Sequence, residues 1–174
     1  MARRTSLREF QQGLVRRLNE AQAASDMPST RLGVQVGNEH WLIKLEEAGE
    51  VIPLPKVAAV PRAHKWYRGL ANIRGNLYSV VDLAAFQGAE LTQPTPDSRL
   101  LLVGERFGMN AALLVNRMLG LRNLQQFQAS EKEREKERRR AWESERYRDG
   151  DGREWRELSM ATLVYHPEFL QSGQ

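Results

Sequence analysis

The acidic side chains and the histidines are the residues of this sequence that could take part in chemistry. Glu46 and Glu47 are adjacent carboxylates and Asp82 follows an apolar run, so each could act as a general acid or base. Single acids beside predicted strands are more often surface or turn-capping groups. None of the motifs G-x-S-x-G, G-x-x-x-x-G-K-[ST] and G-x-G-x-x-G follows a predicted strand. We therefore expect that the chain is not an enzyme.

The histidines are the candidate metal ligands. His40, His64 and His166 lie far apart in the sequence, and none belongs to an H-E-x-x-H pattern. The chain has no cysteine, which excludes thiolate metal sites and disulfides. The acidic turn at 149–152 has the composition of a calcium loop, but aligning its glycine on that loop places Tyr147 at the first ligand position. The sequence predicts no metal and no other cofactor.

Charge and hydropathy limit the kinds of partner. The net charge is +4, and the positive charge is concentrated in two segments that are both predicted to be helical. Acids nearly balance bases in the second segment, residues 131–148, whereas nucleic-acid binding requires a basic face without acids. We therefore do not expect nucleic acid as a partner. The alternative function is a small β-barrel nucleic-acid-binding protein that uses its arginine-rich helices, with Arg16, Arg17, Arg138, Arg139 and Arg140 as its contacts.

The apolar runs are too short for a membrane span. They reach only four or five residues, whereas a helix that crosses a bilayer needs about 20. We expect no direct membrane insertion and a cytoplasmic location, which also suits a chain without cysteine.

The elements that would position these groups begin with a predicted amphipathic helix over residues 5–24. Its apolar residues recur at spacings of three and four, and Ser6 to Glu9 is a capping box. This helix could lie on its own domain or dock on a partner. Residues 1–30 are therefore predicted to be a helical extension and linker that precedes one domain over residues 31–174.

Alternating apolar residues and turn residues dominate the remainder of the chain. Hairpins are predicted around the turns at 37–39, 74–76, 105–108 and 149–152, and prolines keep residues 53–61 extended. A short helical turn is predicted after Asp82, and a short helical tail with Pro167 near a helix start ends the chain. The charged run at about 131–146 is predicted to be a helical insertion, because opposite charges recur three or four residues apart. The pattern favours a mainly β barrel or sandwich.

Residues 69–83 carry a specific motif. They read G-x-x-N-x-R-G, then an apolar strand, then D-L, with Gly69, Asn72, Arg74, Gly75 and Asp82 as the polar and glycine positions. In this spacing the segment resembles the signature of the CheW-like domain family. The resemblance covers residues 31–170. Within the family, the segments VAAVPRAHKWYRG and WRELSMATLVYHP look most similar to members of type IV pilus twitching-motility systems, the PilI type.

The resemblance implies a fold and a function. The fold would be two intertwined five-stranded SH3-like barrels, here with an N-terminal amphipathic helix and a short C-terminal helix. The function would be that of a chemotaxis-type adaptor, coupling chemoreceptors to a CheA-type histidine kinase and controlling twitching motility. The implied partners are the kinase regulatory domain and the cytoplasmic tip of a methyl-accepting chemoreceptor, with recruitment to membrane receptor arrays and no cofactor.

The resemblance also implies contact residues. Arg74 is the first of them, and its alternative role is to pair with a carboxylate such as Asp82 and fix the turn. Gly75 is predicted to supply a positive φ, and Asn72 to bond the backbone of the same turn. The other positions that resemble contact surfaces, where core packing is the alternative for the apolar ones, are Leu45, Ala48, Glu50, Leu100 and Met118.

The second predicted hairpin departs from the family pattern. Many members have G-x-x-V-D where this chain has Ala112-Leu113-Leu114-Val115-Asn116, so both the glycine and the acid are missing. Because of this difference and the charged insertion, the resemblance does not predict which partner contacts the second barrel makes.

Overall fold

The computed structural model of this protein describes residues 29–130 and 139–171. In those two ranges the chain is mainly β, with strands arranged in two sheets. The predicted N-terminal helix over residues 5–24 lies outside the described residues, as do residues 131–138 of the predicted insertion.

The strands, in chain order, are β1 (Thr30–Val36), β2 (Glu39–Lys44), β3 (Ala48–Pro53), β4 (Tyr67–Ile73), β5 (Asn76–Asp82), β6 (Arg99–Val103), β7 (Ala111–Val115), β8 (Arg117–Asn123), β9 (Gln128–Ala129), β10 (Glu143–Arg148) and β11 (Glu154–Leu158). The helices are α1 (Leu83–Phe86), α2 (Met160–Val164) and α3 (Pro167–Leu170), with 3-10 turns at Glu105–Phe107 and Leu124–Gln126.

The two sheets are interleaved along the chain. The first has the order β8-β1-β2-β11-β10-β9, and the second has the order β3-β6-β7-β5-β4. The chain leaves the first sheet after β2, builds the whole second sheet, and returns at β8. The mainly β class and the intertwined arrangement of two sheets agree with the prediction. The first sheet has a sixth strand because the two-residue β9 pairs with the end of β10.

Strands β6 and β7 contribute to two cores at once. Leu101 and Leu113 are completely buried in the larger core, which lies between the sheets and includes Trp41. Their neighbours Leu100 and Leu114 are equally buried in a smaller core on the opposite face of the second sheet. Since successive side chains of a strand point to opposite faces, continuous apolar runs are required where both faces are covered.

The second sheet is closed around its smaller core by links between its two edges. The segment after β3 forms an isolated antiparallel bridge with β4, in which the Ala58 and Leu70 backbones exchange hydrogen bonds of 2.8 and 2.9 Å. Val57 and Leu54 of that segment pack against the smaller core. The sheet therefore encloses apolar residues in the manner of a small barrel.

The predicted helical insertion is wrong over its last residues. The chain forms β10 from Glu143 to Arg148, which pairs with β11 through the tight turn at 149–152. Asp149 Oδ1 accepts from the Asp151 and Arg153 backbone N–H groups, and its Oδ2 accepts from Trp155 Nε1 at 2.9 Å. Pairing with β11 overrides the weak helical preference that charge spacing alone provides.

The C-terminal helices follow the predicted signals. Ser159 caps α2 by accepting from the Thr162 backbone N–H at 3.2 Å, and Pro167 occupies the first turn of α3. Within the described part of the chain, no helix is long and apolar enough to cross a membrane.

Candidate functional site

The turn of the β4–β5 hairpin presents Arg74 to solvent. Ile73 pairs with Asn76, so Arg74 and Gly75 form a two-residue loop. Both have positive φ, 53° and 87°, which is the requirement of a type I′ turn. Asn72 Oδ1 accepts from the Gly75 backbone N–H at 2.9 Å and stabilises this turn. The predicted roles of Gly75 and Asn72 in the turn are confirmed.

Arg74 and Glu50 form a bidentate ion pair on the surface. Arg74 Nη1 donates to Glu50 Oε2 at 2.7 Å, and Nη2 donates to Oε1 at 2.6 Å. The arginine side chain is 73% exposed and the glutamate side chain 43% exposed. The pair joins the β4–β5 turn to β3, the opposite edge of the second sheet.

The pair also shifts the protonation of both side chains. The hydrogen bonds from Arg74 lower the pKa of Glu50, and the same bonds raise the pKa of Arg74. Both groups are therefore fully charged at neutral pH. A partner that approaches this surface meets a planar guanidinium whose donors are oriented but still reachable.

A groove of about 480 Å³ runs beside this ion pair. Its lining is mixed: Ala48, Ile73 and Leu102 are among its apolar residues, and Arg74 and Glu50 are among its charged residues. The structure thus gathers three of the predicted contact residues, Arg74, Glu50 and Ala48, at one surface. Asn72 and Gly75 support that surface through the turn.

The other predicted contact residues lie elsewhere. Leu100 is completely buried in the smaller core, so its role is packing and its prediction as a surface contact is wrong. Met118 is half-buried on β8 of the first sheet, where it packs against the larger core. Leu45 is half-buried between β2 and β3 and does not line the groove.

Two carboxylates of the groove were not predicted to be contact residues. Glu46 and Glu105 are exposed and line it together with Glu50, so the lining contains three acids and one arginine beside its apolar residues. Leu77, next to the turn on β5, is 58% exposed. Glu105 lies in a predicted turn, which was the available signal, but only the folded sheet brings it together with Glu46.

The far end of the same hairpin is buried. Asp82 is fully buried, and it accepts from the Thr92 backbone N–H at 2.8 Å, from Thr92 Oγ1 at 2.9 Å and from the Ala85 backbone N–H at 3.2 Å. Asp82 therefore caps α1 and holds the following loop. The alternative role of Arg74, pairing with a carboxylate, is fulfilled by Glu50 and not by Asp82.

Another candidate for chemistry, Glu47, has a structural contact. Glu47 is buried and its Oε2 accepts from the Met160 backbone N–H at 2.9 Å, so it points away from its neighbour Glu46 and anchors α2. In the described ranges, no group of three or more histidine and acidic side chains is placed to hold a metal ion.

The altered second hairpin has its own role. Asn116 Oδ1 accepts from the Gly37 backbone N–H at 2.6 Å, and the Asn116 backbone N–H donates to the Gln35 carbonyl at 2.9 Å. The asparagine at the position of the usual acid therefore ties the β7–β8 corner to the β1–β2 turn.

Of the arginines proposed for nucleic-acid binding, those that the structure describes are bound to other groups of the protein. Arg140 makes a bidentate contact with Glu39 at 2.9 and 3.2 Å and lies over the Trp41 ring. Arg139 donates to the Ser144 carbonyl at 2.6 Å and lies 3.6 Å from Glu145. Arg16, Arg17 and Arg138 lie outside the described residues.

Comparisons with known proteins agree with these features. The CheW-like domain family matches residues 31–168. Protein PilI of Pseudomonas aeruginosa is 33% identical over 92 residues, which are 53% of this chain and 51% of PilI, so the match spans about half of that relative. The crystal structure of scaffolding protein TtCheW from Thermoanaerobacter tengcongensis has a TM-score of 0.62 at 17% identity, covering 76% of this chain and 89% of that chain. This likeness confirms the predicted fold.

Proposed function

Since this chain belongs to the CheW-like domain family, as its sequence predicted, we propose that it is a chemotaxis-type adaptor that couples chemoreceptors to a CheA-type histidine kinase. The proposed output is control of type IV pilus twitching motility, which the similarity to PilI supports. The proposed partners are the kinase regulatory domain and the cytoplasmic tip of a methyl-accepting receptor. The adaptor would act in the cytoplasm, recruited to receptor arrays, without catalytic activity of its own.

The Arg74–Glu50 pair is the observation that carries this proposal. An exposed ion pair contributes little to stability, because solvent screens it and two long side chains are held in one geometry. Arg74 nevertheless adopts a left-handed backbone conformation that arginine rarely favours. A strained and exposed arginine beside a groove of mixed polarity is better explained by recognition than by packing.

The groove suits a partner of mixed character. Its apolar lining residues offer area for aliphatic side chains, and its charged lining residues are one arginine and three glutamates. A partner segment with a carboxylate directed at Arg74 and a cation directed at Glu46 or Glu105 would match these charges.

The test is a charge reversal followed by a charge swap. We expect Arg74→Glu to weaken binding to the kinase regulatory domain or the receptor tip by at least about tenfold, as loss of a charge-assisted contact implies. Calorimetry measures the affinity, and a melting curve checks the fold. We expect the double variant Glu50→Arg/Arg74→Glu to restore the intramolecular pair without restoring binding.

Arg153→Glu is the matched control, because Arg153 is an exposed arginine in the β10–β11 turn on the other sheet. It should bind both partners like the wild-type protein. Full recovery of binding by the charge swap would overturn the contact role, since the pair would then matter only for geometry. Normal binding by a folded Arg74→Glu protein would overturn it as well.

A further inference from the structure

A second concave site lies at the mouth of the smaller core. It is an apolar pocket of about 180 Å³. Val80 and Leu114, which are almost completely buried, belong to the smaller core beneath it. The remaining apolar lining comes from two loops and consists of Leu54, Pro55, Val57 and Pro94. None of these residues lines the groove beside Arg74.

One charged side chain, Arg68, lines this otherwise apolar pocket. Its nearest carboxylate oxygen is Oδ2 of Asp82, 3.6 Å from Nη1, which is beyond hydrogen-bond distance. Asp82 is already satisfied by Thr92 and Ala85. Within the part of the chain that the structure describes, the Arg68 guanidinium donates no hydrogen bond, and its side chain is 28% exposed. Its donors are therefore available to a ligand.

The local charge favours an anion. The sequence contains no acidic residue between Glu50 and Asp82, and Glu50 is bound by Arg74 while Asp82 is buried. Lys56 stands between two lining residues of the pocket and is exposed. The Asp82 carboxylate offsets part of the Arg68 charge. The free donors of Arg68 and the nearby Lys56, beside a low-dielectric wall, still favour an anion at the pocket mouth.

We propose that this pocket binds a carboxylate attached to a small apolar group. The apolar group would enter between the two proline-bearing loops, and the carboxylate would accept hydrogen bonds from the Arg68 guanidinium. The volume is below the roughly 300–1,000 Å³ of pockets for drug-sized ligands, so it suits one side chain or a short acyl chain. Such a ligand is either the C-terminal residue of an apolar-ended peptide or a free short-chain carboxylic acid.

The direct test is an NMR titration of the full-length, 15N-labelled protein with matched pairs of probes. One pair is 4-methylpentanoate and 4-methylpentanamide; the other is N-acetyl-Gly-Gly-Leu with a free carboxylate and with a C-terminal amide. We expect the two carboxylates to cause saturable shifts at Val57, Val80 and Leu114, and the two amides to bind at least about tenfold more weakly. The tighter of the two carboxylates identifies the source of the ligand.

Two variants separate recognition from stability. Arg68→Met should weaken carboxylate binding by about tenfold or more, although it also removes the cation beside buried Asp82. Val57→Phe fills the pocket while keeping Arg68, and it should abolish the saturable shifts. Arg153→Met, an arginine far from the pocket in the sheet order, should bind like the wild-type protein.

Three outcomes would overturn the proposal. Equal binding of amides and carboxylates would show that Arg68 recognises no charge. Undiminished binding by Val57→Phe would place the ligand outside the pocket. Absence of saturable shifts with both carboxylates would leave Arg68 as a counter-charge for Asp82 and nothing more.

Discussion

The two ends of the β4–β5 hairpin belong to one sequence motif but have opposite surroundings. At the turn, Arg74 is largely exposed and its bonds reach a glutamate on another edge of the sheet. At the far end, Asp82 is fully buried, and Gly69 lies against the backbone of Ala58. The motif therefore combines residues that the fold requires with one, Arg74, that packing does not require. The spacing of the motif residues in the sequence does not distinguish structural residues from exposed ones.

The difference shows how such a hairpin is organised for recognition. The buried end fixes the strands, the short helix α1 and the loop up to Thr92. The turn is then held by backbone geometry and by Asn72, so an exposed arginine is presented in one position. A rigid scaffold beneath an exposed contact lowers the entropy that binding must overcome.

The largest effect is expected from Gly69→Ala. A Cβ at Gly69 would lie 1.9 Å from the Ala58 carbonyl oxygen, and the φ of +125° already disfavours any other residue. We expect a loss of about 3 kcal/mol or more in the free energy of unfolding, measured by urea denaturation. Gly75→Ala is the matched control, because nothing lies within 4 Å of its added Cβ and only its φ of +87° is strained. It should lose only about 1 kcal/mol. Equal losses would contradict the division between the two ends.

Asp82→Ala should have the next largest effect. It leaves the Thr92 and Ala85 donors without their acceptor in a buried site. We expect the free energy of unfolding to fall by about 2–4 kcal/mol, as judged by urea denaturation. Thr92→Val removes only the hydroxyl donor and should lose about 1 kcal/mol. An Asp82→Ala protein as stable as the wild type would show that this end is not structural.

The sequence predicted the local features of this hairpin well. Turn chemistry at Arg74-Gly75, the capping role of Asn72 and the helical turn after Asp82 depend on neighbouring residues, which a sequence displays directly. The partner of Arg74 was not predicted, since Glu50 lies 24 residues away and meets it only when the sheet closes.

Two other differences have the same cause. Leu100 lies in an apolar run whose alternate residues enter two different cores, so alternation could not tell a contact residue from a core residue. The charged residues of β10 have helical spacing. Glu143 is nevertheless buried, forms an ion pair with Arg146, and pairs with Leu158 of β11 in the sheet. Contacts between distant segments determine both the burial of Leu100 and the strand at β10, and such contacts are not visible in the neighbouring sequence.

The smallest effect on stability is expected for Glu50, the partner of Arg74 at the turn. Glu39, which is also bound by arginines, provides the comparison. Burial raises the pKa of Glu39, but hydrogen bonds and charge from Arg140 and Arg156 outweigh it and the pKa is lowered. A lowered pKa in the folded state stabilises the protein above the ordinary value of 4.5, and this stabilisation is lost as the pH falls through the folded value. Glu39→Gln should therefore lose about 1–2 kcal/mol at neutral pH, after allowance for its partial exposure.

Glu50→Gln should also lower the free energy of unfolding at neutral pH, but by less than Glu39→Gln. The pKa of Glu50 is also lowered, first by the Arg74 hydrogen bonds, but the pair is open to solvent and salt. Thermal melts between pH 3 and pH 7 measure both variants, and the difference from the wild type should shrink below pH 4.5 for Glu39→Gln. The melting temperature of Glu50→Gln should stay close to that of the wild type throughout, because its carboxylate is screened. If Glu50→Gln were the more destabilised variant, the Arg74–Glu50 pair would serve the stability of the fold. That result would contradict the proposal that the turn is a contact surface.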